Sequence, residues 1–142
     1  MSRKSLRKIS FLLIVTLILS SASAIAAPAS DYIFAYDADI GRTGSNGVKV
    51  AFEIYGTRNM DDIGATSIYL YESSNSGWTL VKTFVYTQSA YSHIMSGNTS
   101  GHSASVTYYG TIGKQYYATV YLWAGRNGGG DSRSMSTLSF TL

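Results

Sequence analysis

The chain has 142 residues, with 11 Lys and Arg against 8 Asp and Glu, no Cys, one Pro and 14 Gly. That length excludes a multidomain enzyme, since one domain takes roughly 100–200 residues. The lack of cysteine excludes a disulfide scaffold, a thiolate zinc site, a Cys nucleophile and a lipid-modified N-terminal Cys.

The first element reads as an export signal. Arg3, Lys4, Arg7 and Lys8 come without an acid, an apolar run follows from Ile9 to Leu19, and small residues continue to Ala27. A basic start, an apolar stretch of about 7–15 residues and an A-x-A site define a secretory signal peptide. The run is shorter than the roughly 20 residues a membrane span requires. Ala22-Ser23-Ala24 and Ala24-Ile25-Ala26 both fit the cleavage pattern. Residues 1–26 are therefore expected to be removed, leaving 27–142 as a single domain.

The formal charge of +3 belongs to that signal; beyond it, seven basic residues stand against eight acidic ones, net −1, with no basic cluster. No nucleic-acid partner is expected, and no membrane contact after cleavage. The closing residues Leu138 to Leu142 carry no anchor pattern, which predicts a freely released extracellular protein.

The remaining elements read as strands, with period-2 alternation broken by Gly, Ser, Asn and Asp clusters. Tyr32–Tyr36 is a short first strand, followed by a turn over Gly41–Gly47. Val48, Val50, Phe52 and Ile54 then alternate with Lys49, Ala51, Glu53 and Tyr55. Gly56–Gly64 reads as a loop, Ser67–Glu72 as a strand, Ser73–Gly77 as a hairpin connection and Trp78–Tyr86 as the returning strand. Thr87–Gly101 reads as loop with a short edge strand. His102–Tyr109 and Gln115–Ala124 are strands, Gly125–Asp131 is a Gly-rich turn, and Met135–Leu142 closes the chain. That makes about seven or eight strands, as an all-β, antiparallel β-sandwich or barrel would show.

The segment Ile112-Gly113-Lys114-Gln115-Tyr116, followed by alternation and by Trp123 to Ser132, resembles the late strands of a fibronectin type III or related immunoglobulin-like domain. It lacks the proline usual before the corner glycine. The resemblance implies an immunoglobulin-like (fibronectin type III-like) sandwich in which Tyr116 is the corner tyrosine, its hydroxyl bonded to backbone upstream. With its aromatic strand, Asn/Ser/Gly turn and Trp-led return, the chain is also similar to small secreted Gram-positive proteins of unknown function. That similarity implies location and fold, and no activity.

Patterns for catalysis are sparse. His93 and His102 are the only candidate bases, no G-x-S-x-G elbow exists, and both lie in Ser/Gly-rich stretches expected to be solvated loop. Two histidines without a carboxylate fall short of zinc. Asp37-x-Asp39 with Gly41 has the start of a calcium loop, and Asp61-Asp62 offers a second acidic pair, yet the spaced calcium pattern is not met. Glu53 and Glu72, the only glutamates, are expected on the polar faces of their strands rather than paired in a cleft. The expectation is a non-enzymatic protein without cofactor.

The aromatics are the remaining signal: 12 Tyr, 2 Trp and, beyond the export signal, four Phe. If Tyr116, Ala118, Val120 and Leu122 face the core, then Tyr117, Tyr121 and Trp123 face outward. Tyr69 and Tyr71 face outward likewise, on what the immunoglobulin-like resemblance makes a neighbouring strand. The expected platform is Tyr69, Tyr71, Tyr117, Tyr121 and Trp123. It suits an extracellular glycan or protein, because aromatic rings stack on sugars and anchor interfaces. The alternative is that these pairs merely stabilise the sheet. Loops Thr57–Gly64 and Gly125–Asp131 offer a second binding surface. A bacteriocin-like toxin and a structural matrix component remain as other functions, and the oligomeric state stays open.

Overall fold

The computed structural model describes residues 30–142; the export signal expected at 1–26 lies outside them. The described chain is all-β, a single antiparallel sheet curled into a half-barrel. Its strands are β1 (Ile33–Thr43), β2 (Gly47–Ser74), β3 (Gly77–Val85), β4 (Met95–Tyr109), β5 (Gln115–Arg126), β6 (Gly129–Ser136) and β7 (Phe140–Thr141). One 3₁₀ helix, Ser89–Ile94, joins β3 to β4.

The 28-residue β2 organises everything else. One of its edges carries β1 along Gly47–Gly56 and then β5 along Asp62–Glu72. The other carries β4 as far as Gly64 and then β3 from Ser67. β6 extends the sheet beyond β5, and β7 adds a short pairing at Gln115–Tyr116.

Alternation puts one side of every strand into a shared core. Val48, Val50 and Ile54 from β2, Ile68 and Leu70 further along it, and Tyr116, Ala118, Val120 and Leu122 from β5 are all buried. Each large apolar side chain removed from water stabilises the fold by about 1.5–3 kcal/mol. Phe84 and Ile94 close the core under the 3₁₀ helix, where Tyr91 meets Phe84 edge-on at 5.0 Å.

Several sequence expectations are corrected. Gly56–Gly64 is not a loop, because β2 continues through it with a bulge. The register against β4 slips between Tyr55 and Met60, and Thr57 N–H bonds to Tyr32 O at 3.0 Å. Buried Met60 and Ile63 fix this segment to the core despite its polar composition. β1 runs on to Thr43, so Asp37 and Asp39 lie in a strand and not in a calcium loop. Thr87–Gly101 holds the 3₁₀ helix and the first residues of β4, a long strand and not a short one. Glu72 shares the inward face with Ile68 and Leu70, since it pairs directly with buried Tyr116.

The histidines lie in regular structure and not in loops, His93 exposed in the 3₁₀ helix and His102 half-buried. His93 Nε2 bonds to Ser105 O at 3.0 Å, and His102, within β4, bonds to His93 O at 2.8 Å. The two rings pin the 3₁₀ helix to β4, a use of backbone carbonyls that Ser/Gly-rich flanks do not announce.

Candidate binding face

The five predicted aromatics come together on one outward face. The β2–β5 register opposes Tyr71 to Tyr117 and Ser67 to Tyr121, with Tyr69 beside Tyr121. The rings of Tyr71 and Tyr117 stack at 4.8 Å and 8°, and those of Tyr69 and Tyr121 meet at 5.3 Å and 58°. Such pairs are worth about 0.5–1.5 kcal/mol beyond their burial. Trp78 on β3, which sequence reasoning left out, joins them perpendicular to Tyr117 at 4.8 Å. Its position two residues after the hairpin, opposite Ser73, was the available signal.

Burial raises the pKa of Tyr71, and the neighbouring phenols Tyr117, Tyr121 and Tyr69 add to the rise. Tyr71 therefore stays protonated and neutral through the ordinary pH range.

Trp123 sits differently. Atoms Nε1, Cε2, Cζ2 and Cη2 of its indole lie 2.3–3.0 Å from where Cβ atoms would stand on Gly125 and Gly130, the cross-strand pair beside it. The ring thus lies across two glycines, each leaving space that a side chain would fill. Two depressions flank it and share Thr66. One, of about 200 Å³, is lined by Asp62, Tyr86 and Met95; the other, of about 300 Å³, by Tyr121, Ser132, Arg133 and Ser134. Arg133 is already committed to Asp131 at 2.8 Å, and the Ser30 hydroxyl together with Arg133 holds the Asp131 carboxyl below its usual pKa.

The outward residues of β3, β2, β5 and β6 carry almost no charge. Leu80, Thr83, Ser67, Ser73, Thr119, Ser134 and Ser136 surround the aromatics, and Asp62 is the single carboxylate at one end.

The acidic residues gather elsewhere. Asp37, Asp39, Lys49, Glu53, Ser103 and Ser105 line a shallow depression of about 400 Å³ on β1, β2 and β4. Asp37 and Asp39 each accept the N–H of the following residue, at 2.9 and 2.8 Å. The negative charge of Glu53 raises the pKa of Tyr55, whose hydroxyl donates to it at 3.2 Å. Among the described residues, no group of three or more His, Asp or Glu is arranged to hold a metal ion.

Thr57–Gly64 and Gly125–Asp131, predicted as loops, meet as a mid-strand stretch of β2 and the β5–β6 hairpin end. Asp61 Oδ2 accepts Asn127 N–H at 2.7 Å, and Arg58, Arg126, Asp31 and Tyr32 line a polar depression beside them.

The comparisons with known proteins found no match: no family model, no curated protein and no solved structure is similar to this chain.

Proposed function

We propose that the protein is an exported, non-enzymatic binding module that holds a neutral glycan on the outward face of β3, β2, β5 and β6. One observation carries the reading: half-exposed tyrosines and tryptophans lie in a nearly uncharged field of serine and threonine hydroxyls. Rings offer apolar surface to the C–H faces of sugars, and the hydroxyls exchange hydrogen bonds with sugar hydroxyls in place of water. A charged partner would find little to pair with there.

Export rests on the basic, apolar and small-residue succession of residues 1–26. Kinship with immunoglobulin-like sandwiches belongs to the same proposal. Its support is the bond from Thr111 N–H to Tyr116 Oη at 2.7 Å, the corner arrangement expected of that family.

A glycan array probed with the purified protein tests the reading. Retention on neutral polysaccharides is expected; retention on anionic glycans alone, or on none, overturns it. A self-associating matrix component is a second reading, favoured by the outer edges of β3 and β6, which pair with no other described strand. Sedimentation that finds only monomer removes it.

A further inference from the structure

The aromatic face is not uniform, and the difference bears on where a sugar would sit. Tyr117 has Tyr71 stacked against it and Trp78 perpendicular to it. These rings occupy one another's surfaces and stabilise the sheet. Trp123 instead lies on glycine backbone, with a depression on either side. A side chain at Gly125 or Gly130 would meet the indole at under 3.0 Å and lift it. The two glycines therefore leave the room that this edge of the indole occupies.

Resting on the neutral-glycan reading, we propose that the binding site proper is the groove through Trp123, with one sugar subsite on each side of the ring. Trp123 supplies the stacking surface. Tyr86 and Asp62 form one subsite, where the carboxylate accepts hydrogen bonds from adjacent sugar hydroxyls. Tyr121, Ser132 and Ser134 form the other, with Arg133 at its wall held by Asp131. Thr66 belongs to both, and its hydroxyl is tied to Tyr121 O at 3.2 Å, which holds the groove floor to β5. An extended chain of several sugar units fits two subsites in line; a monosaccharide fills only one. The Tyr71–Tyr117–Trp78 stack is scaffold in this account, although Tyr71 and Tyr117 belong to the expected platform.

The test uses the purified protein with neutral β-1,4-linked hexasaccharides of glucose and of N-acetylglucosamine, beside the monosaccharides. Trp78→Phe leaves Trp123 as the only described tryptophan, so its emission reports on the groove alone. Expected is an emission change on hexasaccharide addition, with affinity at least about 10-fold above that for the monosaccharide. Trp123→Ala and Gly130→Ala are expected to weaken binding at least about 10-fold, and Tyr117→Ala less than about 3-fold, each protein first shown folded by circular dichroism.

If Tyr117→Ala abolishes binding while Trp123→Ala and Trp123 emission leave it untouched, the groove assignment is overturned and the glycan reading survives. If the unaltered protein retains neutral polysaccharides on the array but shows no Trp123 response, the groove alone is again overturned. If it binds no neutral glycan at all, both fall.

Discussion

The backbone N–H of Thr111 donates to the hydroxyl of Tyr116 at 2.7 Å, and that hydroxyl in turn donates to Glu72. One buried oxygen thus ties the β4–β5 corner to the far end of β2. Tyr116→Phe leaves the Thr111 donor and the Glu72 carboxylate without this partner, at a cost of about 1–3 kcal/mol. Urea unfolding of the two proteins measures it.

The same hydroxyl sets an alkaline limit. Burial raises the Tyr116 pKa above 10.0, and the bond to Glu72 raises it further. A raised folded-state pKa means that the folded protein holds its proton longer than the unfolded chain does. This contribution is complete below pH 10 and is lost as pH climbs through the folded-state value. Unfolding free energy is expected to fall from about pH 10 upward, and less steeply in Tyr116→Phe.

Gly110 has a packing role at this corner. A Cβ there would stand 2.6 Å from Tyr116 Oη and 3.0 Å from Leu142 Cδ2. Gly110→Ala is expected to destabilise by about 1–3 kcal/mol, the usual cost of overpacking. Gly41→Ala, with nothing within 4 Å, is expected to change thermal stability far less.

The β5–β6 hairpin depends on its turn residues. Asn127 and Gly128 have φ of 54° and 79°, the two left-handed positions that a tight hairpin demands. Asn127→Val is expected to cost about 1–2 kcal/mol, because a β-branched side chain is strained at that φ. Asp61→Ala removes the carboxylate that accepts Asn127 N–H. Hydrogen exchange at Asn127 should quicken in that protein while the core of β5 stays protected.

How far the sequence could be read depended on how far one residue's neighbours decide its place. Strict alternation from Tyr116 to Leu122 correctly separates the buried face of β5 from the aromatic one. The Ser73–Gly77 connection between β2 and β3 is legible for the same local reason. Gly56–Gly64 is not, because Arg58, Asn59, Asp61 and Asp62 imitate a loop, while Met60 and Ile63 are held by strands distant in sequence. The inward placement of Glu72 depends on the Tyr116 hydroxyl 44 residues away. The posture of Trp123 depends on Gly130 across a hairpin. Which aromatics share a face could be read from period 2 and the resemblance together; which of them packs against glycines and which stacks on another ring is a property of the paired strands.

The measurement that bears most directly on the central claim is affinity electrophoresis of the purified protein through gels cast with neutral polysaccharide, run at low and at high salt. The account predicts retardation that persists when salt is raised to about 0.5 M, since an uncharged contact is not screened. It also predicts that Tyr121→Ala with Trp123→Ala removes the retardation, as loss of interface anchors of about 2 kcal/mol or more each would. Retardation that vanishes with salt, or that survives in the double variant, contradicts it.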